Sequence, residues 1–297
     1  MSSPHLIKRV AIAGVGNVGE FMLEELLKAG LSVTVLTRAG TFRPFNTPAV
    51  VTPVDYTSSS SLEEALKGID AVVSCVNNWD AQTQLIHAAK NADVKLFVPS
   101  EYGIPSDRFT KDDHPLLYGK KVAQETLKSA KMPAVLVWGG LFPDMTFMIP
   151  FLGFDLKNKQ VTLVGKGDTP ISFTTRRDVA RFLAHHLATL GALPAPSSPT
   201  LLRIEGDRQS LNSCVALYES LHPGVKLDVR HVSLAETDQA AHDLEGAGVV
   251  PSFLKSLLAS WERGGGLVDQ GQGVGALSNA EWPDWNPTKV KDTLSQV

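Results

Sequence analysis

The sequence predicts an α/β fold: a doubly wound parallel sheet covered by helices on both faces, followed by a smaller C-terminal α/β lobe. Three observations carry this expectation. Continuously apolar segments of strand length alternate with amphipathic helical segments through the first half of the chain, the pattern of strands buried on both faces. The first such strand runs into a glycine-rich turn and then a helix. After about residue 142 the alternation loosens, which divides the chain into a domain of residues 1–150 and a lobe of residues 151–297 partly interleaved with its sheet. A length of 297 residues with 43% hydrophobic content suffices to bury a core of that size.

Taken in order, Val10 to Ala13 is the first apolar run. Phe21 to Ala29 sets Phe21, Met22, Leu26 and the neighbouring Leu27 at helical spacing, and Gly30 supplies the stop. Leu31 to Leu36 reads as a second strand, Ala49 to Val54 as a third and Ala71 to Val76 as a fourth. Between the last two, Ser61-Leu62-Glu63-Glu64 has the form of a capping box opening a helix that closes near Gly68. Gln82 to Ala92 is a helix and Lys95 to Val98 the fifth strand. Residues 115–130 form a helix opened by Pro115 and ended before Pro133, and Ala134 to Trp138 is the sixth strand. Further on, Phe151 to Val164 reads as a hairpin turning at Lys157-Asn158, and Thr175 to Leu190 as a helix. A Pro/Ser-rich surface connection covers 193–199. Leu201 to Ile204 and Lys226 to Val229 read as strands flanking a helix over 210–221. The Gly264 to Gly275 stretch is expected to be a mobile loop, and Trp282 to Pro287 a packed terminal tail or a pocket cap.

Composition narrows the function. With 28 Lys+Arg against 31 Asp+Glu the net charge is −3, which leaves no excess of positive charge to neutralise phosphates, so no nucleic-acid partner is expected. Two cysteines, Cys75 and Cys214, make neither a disulfide scaffold nor a four-thiolate metal site. Runs free of charge and proline, such as Ala134 to Phe142 and Phe182 to Leu193, are too short to cross a bilayer. The opening residues lead straight into a strand with no apolar leader. The expectation is a soluble cytoplasmic protein, monomer or homodimer, with no membrane partner. His185 and His186 are adjacent on a helix and cannot share a face, and no metal site is expected.

Strand one flows into Gly14-Val15-Gly16-Asn17-Val18-Gly19, a GxGxxG sequence between a strand and a helix. Gly14 permits the tight turn, Gly16 lets backbone approach a pyrophosphate, and Gly19 lets the helix pack close to the strand. The helix amino terminus then offers N–H groups and a positive dipole end to the phosphates. An ordinary glycine-rich turn is the alternative. This is the architecture of a Rossmann-type dinucleotide site. Its cofactor is indicated at the end of strand two, where an NAD site usually carries an acid for the ribose 2′-hydroxyl. Here the sequence is Val35-Leu36-Thr37-Arg38, and no acid follows until Asp55. A guanidinium suits a 2′-phosphate by bidentate, charge-assisted hydrogen bonds, so NADP(H) is favoured, with Arg43 as a second contributor. The alternative for Arg38 is a solvated surface position.

Strand five ends in Val98-Pro99-Ser100-Glu101-Tyr102-Gly103-Ile104-Pro105-Ser106-Asp107-Arg108, which resembles the PSEFG…DR signature of the isoflavone reductase-like and NmrA-like proteins, atypical short-chain dehydrogenase/reductases. AIAGVGNVG over 11–19, VTVLTR over 33–38, Val54-Asp55-Tyr56, Gly68 to Val73, Lys120 to Val137 and Arg177 to Ala180 are similar to the same family, most closely to its fungal CipA-like members. The resemblance covers about the first 190 residues and the remainder loosely. It implies a Rossmann domain with a smaller substrate lobe, NADPH across the carboxyl ends of the strands, and reduction of phenolic or phenylpropanoid-type compounds. It also implies an active-site lysine at Lys120, with Lys121 as the adjacent choice. One departure stands out. The usual Tyr-x-x-x-Lys would put tyrosine at 116, where this chain has Leu116, and Tyr118 points about 200° away from Lys120 on a helix. The family's reductases work without that tyrosine.

Several further side chains fall near the expected site. Ser100 and Tyr102 lie at the carboxyl end of strand five, where ligands bind in an open α/β sheet; Ser100 suits a bond to ribose or substrate, and Glu101 and Tyr102 suit bracing of the loop. His114, beside Asp112 and Asp113, is a candidate proton relay or a solvated loop residue. Asn77 and Asn78 follow strand four, where a loop lines the nicotinamide. Asp55 is placed for an adenine amino group, or as a turn residue. Gly140 lets backbone approach the cofactor closely, and Phe142, Met145, Phe147 and Met148 offer an apolar substrate wall or plain core. Hydride transfer builds negative charge on a substrate, and Lys120, expected near the nicotinamide ribose, is a candidate both to hold the cofactor and to present its ammonium to that charge. The expectation is an NADPH-dependent reductase of a small, aromatic or phenolic metabolite. The alternative is an NADP(H)-binding regulator acting through a protein partner.

Overall fold

The computed structural model describes residues 6–38, 48–107, 109–110, 115–244, 249–269 and 275–297. In chain order the first elements are β1 (Arg9–Ala13), α1 (Gly19–Lys28), β2 (Ser32–Arg38), β3 (Val50–Val54), α2 (Ser59–Leu66), β4 (Ala71–Ser74), α3 (Trp79–Asn91), β5 (Leu96–Val98), α4 (Pro115–Ser129) and β6 (Val135–Trp138). Then come α5 (Pro143–Thr146), β7 (Phe154–Asp155), β8 (Gln160–Val164), β9 (Ile171–Phe173), α6 (Arg176–Thr189), β10 (Thr200–Arg203), β11 (Asp207–Gln209) and α7 (Leu211–Leu221). The last are β12 (Asp228–Val232), α8 (Leu234–Asp243), α9 (Val249–Ser260) and α10 (Val290–Leu294). The residues divide into two compact units, one of 1–102, 117–137 and 179–202, the other of 103–116, 138–178 and 203–297.

The first unit is the doubly wound sheet. Its strands run β3-β2-β1-β4-β5, every pair parallel. A parallel bridge from Phe97 to Ala134 carries the order on to β6, whose neighbour is β10. The strands are apolar because both faces are covered: all four residues of β4 are buried, as are the three of β5. Leu36, Val72 and Phe97 from the sheet pack with Leu62 and Leu66 of α2, Leu85 and Ile86 of α3, and Ala123 and Leu127 of α4. The chain moves outward from β1 through β2 to β3, then returns to lay β4 on the other side of β1. That reversal brings the carboxyl ends of β1 and β4 together, the position where an open α/β sheet takes its ligand.

In the second unit β7 and β8 form an antiparallel hairpin with Phe154 opposite Val161, and β12 joins β8 in parallel. This is the hairpin expected from 151–164. A second pair, β9 and β11, is antiparallel. Phe147 meets Phe154 edge-on at 5.0 Å and stacks on Phe173 at 6.0 Å, so these rings are core. Trp285 is buried, as expected of the terminal tail.

Several local expectations need correction. Helix α2 is capped by Ser58, whose hydroxyl accepts the Ser61 N–H, so Ser61 lies inside the first turn and its own hydroxyl accepts the Asp55 N–H. Helix α3 begins three residues before Gln82 because the Asn78 side chain caps it at the Ala81 N–H. The strand expected at 226–229 lies at 228–232. The glycine-rich stretch is packed at its start: a π-helical segment over Trp261–Gly265 is broken by Gly264 at φ +87°, Leu267 and Val268 are buried, and the Val268 N–H donates to the Ser172 hydroxyl at 3.2 Å. Residues 270–274 of that stretch lie outside the described residues.

Candidate functional site

The turn after β1 shows what each glycine is for. Gly14 has φ +88°, a left-handed value that favours glycine, and its N–H donates to the Leu36 carbonyl at 3.4 Å. At Gly19 an added Cβ would lie 2.1 Å from the Gly14 carbonyl oxygen, so a side chain there would push α1 off the strand. Gly16 is different. It is exposed, lies outside the left-handed region, and an added Cβ would meet nothing within 4 Å. The folded chain gives no steric reason for a glycine at 16, and the open space leaves room for a ligand to lie against its backbone. The Gly16 carbonyl accepts the Glu20 N–H at 3.1 Å, which starts α1. Asn17 and Val18 complete the turn, and no side chain caps the helix, in contrast to Ser58 on α2 and Asn78 on α3. A helix start without a side-chain cap suits an anion such as a pyrophosphate.

Arg38 is the last residue of β2, exposed, with Val54 as its partner in β3. Tyr56 stands beside it: its hydroxyl donates to the Leu36 carbonyl at 3.3 Å, and burial raises its pKa while the Arg38 charge works the other way. Asp55 is mainly a turn residue. Its Oδ1 accepts the Thr57 hydroxyl at 2.7 Å and the Thr57 N–H at 2.8 Å, and these bonds hold its carboxyl below the usual range.

At the carboxyl ends of β4 and β5 a second group of side chains converges. The Lys120 ammonium donates to the backbone carbonyl of Glu101 at 2.6 Å. Loss of solvent around it pulls its pKa down, and the Glu101 charge works against that shift. Gln124, one helical turn further along α4, donates from Nε2 to Glu101 Oε1 at 2.9 Å. The Ser100 N–H donates to Gln82 Oε1 at 2.8 Å, which ties the end of β5 to α3. The Tyr102 hydroxyl donates to the Ser74 carbonyl at 2.8 Å and receives the Cys75 thiol at 3.8 Å. Burial pushes that thiol up to about 12, so Cys75 is no nucleophile at neutral pH. Trp79 lies on α4 so closely that a Cβ at Gly119 would be 2.3 Å from its Nε1. Ser74 Oγ, Gln82 Nε2 and Trp79 Nε1 are buried here with no hydrogen-bond partner among the described residues, a rare state that suits a region able to take a ligand or water.

The structure therefore brings Gly14, Gly16, Asn17, Val18, Gly19, Arg38, Asp55, Asn77, Ser100 and Lys120 into one unit, with the glycine turn against Cys75 at the end of β4. Gly140 belongs to the other unit. Its glycine is explained by the chain itself, since φ is +76° and an added Cβ would lie 2.1 Å from the Ser172 carbonyl oxygen. Of the expected apolar wall, Phe147 is core and Met148 is 66% exposed. His114, Asp112, Asp113, Arg108 and Arg43 lie outside the described residues. Among the described residues no group of three or more His, Cys, Asp or Glu is arranged to hold a metal ion, and no helix is long and apolar enough to cross a membrane. Gln82, Gln124 and Trp79 carry no motif that marks them in the sequence. Only the i, i+4 relation of Gln124 to Lys120 points to any of them.

Comparison with known proteins gives a consistent result. The model of the NmrA-like family matches residues 8–220. Isoflavone reductase homolog P3 of Arabidopsis thaliana is 27% identical, over 97% of this chain and 97% of its own length. Oxidoreductase BOA1 of Botryotinia fuckeliana (strain B05.10) is 30% identical over 70% of this chain and 73% of its own. Among solved structures, AtPrR2 with NADP+ and (+)pinoresinol has a TM-score of 0.81 at 22% identity, each chain covered to 98%. The leucoanthocyanidin reductase–NADPH complex from Vitis vinifera has a TM-score of 0.81 at 17% identity, covering 97% of this chain and 98% of that one. These structural likenesses establish a shared Rossmann-type α/β fold.

Proposed function

Since the chain belongs to the NmrA-like family, we propose that it is an NADPH-dependent reductase of the isoflavone reductase-like kind, acting on a small aromatic or phenolic metabolite as a monomer or homodimer, with cofactor recognition carried by residues 1–150 and substrate recognition by residues 151–297. The observation that carries the reading is Gly16, a glycine with open space where its side chain would be, at the uncapped start of α1. Gly14, Gly16, Asn17, Val18 and Gly19 would hold the pyrophosphate, and Arg38 the 2′-phosphate that separates NADPH from NADH. The reductase and oxidoreductase names of relatives that span most of the chain favour turnover over the regulator alternative. The pinoresinol and leucoanthocyanidin reductases among the structural relatives direct the substrate search to phenolic compounds.

When bound, NADPH supplies the hydride. The chain's part is to orient the acceptor, exclude water and meet the negative charge that develops on it. Lys120 is suited to meet that charge, because its ammonium is anchored at the end of β5 and its lowered pKa makes it a better proton donor than an exposed lysine. Ser100, at the end of β5, would bond ribose or substrate. The test is NADPH oxidation, followed by cofactor absorbance against phenolic carbonyl and conjugated acceptors. Lys120→Ala is expected to keep NADPH binding and its fold and to lose about 100-fold or more in turnover. Undiminished reduction by that variant rejects the lysine mechanism.

A further inference from the structure

Lys120 is held by a backbone oxygen, so whatever aims that oxygen also aims the lysine. Two features turn the Glu101 carbonyl toward α4. The Glu101 N–H closes back on the Pro99 carbonyl at 2.8 Å, and Tyr102 adopts φ +41°, a left-handed value unusual for an aromatic residue. The strained turn is pinned by the buried Tyr102 hydroxyl on the Ser74 carbonyl. The Glu101 side chain then reaches the same helix: it is 2% exposed, and its Oε1 accepts Gln124 Nε2 at 2.9 Å. Lys120 and Gln124 are four residues apart on α4, so both approach Glu101 from one helix face. A carboxylate is costly to bury, and a neutral residue could brace the loop without that cost.

We propose that Glu101 is a positioning residue for the reductase reaction: its backbone carbonyl holds the Lys120 ammonium in place, and its carboxylate, steadied by Gln124, supplies the counter-charge. The inference rests on the reductase reading above and adds to it what governs the lysine. Burial pulls the Lys120 proton off, and the Glu101 charge keeps it on. Among the described residues at this end of the sheet, Cys75 and Tyr102 are both kept protonated by burial. From α3 the neighbour is the neutral indole of Trp79 at Gly119, with exposed Asp80 following it. On α4, Lys121 is the next residue and Glu125 is exposed.

The test reads Lys120 directly in the full-length protein, without substrate. Labelling by fluorodinitrobenzene, quantified on the Lys120 peptide across a pH series, gives the titration midpoint of its amine. Glu101→Gln keeps the carbonyl and removes the charge, so the midpoint is expected to fall by about one pH unit. The alkaline limb of NADPH oxidation is expected to fall with it. Glu101→Asp keeps the charge and is expected to restore the midpoint. Gln124→Leu removes the amide that holds Glu101 Oε1, so the midpoint is expected to move by at least about half a pH unit while turnover drops; this variant carries the test should Glu101→Gln not fold. Unmoved midpoints in folded variants overturn the proposal. Moved midpoints in a chain that neither binds nor oxidises NADPH would instead sink the reductase reading and leave the Glu101–Lys120 coupling standing.

Discussion

Substituting alanine at Gly16 and at Gly19 separates a glycine kept for a ligand from a glycine kept for the fold. At Gly16 the new methyl meets nothing within 4 Å and the backbone is outside the left-handed region. Folding should therefore be unharmed, and narrowing of the unfolded ensemble should stabilise the protein by about 0.4–1 kcal/mol. The same methyl stands ~1.5 Å out from Cα, on the surface where a pyrophosphate would lie. Displacing the phosphates from two charge-assisted N–H bonds, at about 1.5 kcal/mol each, removes about 3 kcal/mol of binding. That is about a 150-fold rise in Kd for NADPH. At Gly19 the methyl would sit 2.1 Å from the Gly14 carbonyl oxygen, so β1 and α1 must separate. Overpacking of that kind costs about 3 kcal/mol. Thermal melts with and without NADPH, with a fluorescence titration of the cofactor, measure both effects. Gly16→Ala should melt at or above the wild-type temperature and show almost no upward shift with NADPH. Gly19→Ala should melt well below it. Wild-type NADPH affinity in Gly16→Ala would refute the reasoning, because the open space at Gly16 would then have no ligand to explain it.

Other consequences can be checked with the same protein. Arg38→Ala should weaken NADPH by about 10- to 100-fold and leave NADH unchanged in parallel titrations, since only the 2′-phosphate is lost. Turnover should decline as pH rises through the Lys120 pKa, which lies below the ordinary 10.5, because the ammonium is the active form; the pH profile of NADPH oxidation measures this. Asp70 is 4% exposed, and burial acts to raise its pKa, but the Lys95 ammonium and the N–H groups of Arg9 and Lys8 outweigh it and the net shift is downward. Its contribution is thus complete above the ordinary 3.8 and fades as pH falls through the lowered folded value. Asp70→Asn should flatten that acid limb in denaturant melts and cost about 1–3 kcal/mol at neutral pH. Leu62→Ala, at a side chain with no exposure between α2 and the sheet, should cost about 2–5 kcal/mol in the same melts.

The sheet was legible because its physics is local and repetitive. Strands buried on both faces must be continuously apolar, and Ile12, Val72 and Phe97 announce them without reference to any other part of the chain. The glycine loop was legible for the same reason, since its spacing encodes a turn, a close approach and a helix start. Helix caps were less so. Ser61 and Ser58 both have serine's capping chemistry, and only the path of the chain after Asp55 decides that Ser58 takes the role. Helix α8 was poorly legible even though Ser233 and Glu236 form a reciprocal cap, because Leu234 is its only large apolar residue; α9 is apolar enough to be read, and nothing in its pattern hides it. The lysine's surroundings were hidden for a different reason. The bond from Lys120 goes to a backbone oxygen, and the left-handed turn at Tyr102 that aims it carries no glycine to mark it. Gly140 illustrates the converse: a glycine after a strand suggested cofactor approach, while the Ser172 carbonyl accounts for it within the chain.

Equilibrium binding of NADPH and NADH to the purified chain, read by nicotinamide fluorescence at matched pH and salt, tests the central claim most directly. Saturable NADPH binding at least about tenfold tighter than NADH is the predicted result, as expected for a 2′-phosphate held by a guanidinium. Equal affinities would remove Arg38 from the account, and no saturable binding of either nucleotide would contradict the reading of the Gly14–Gly19 turn as a cofactor site.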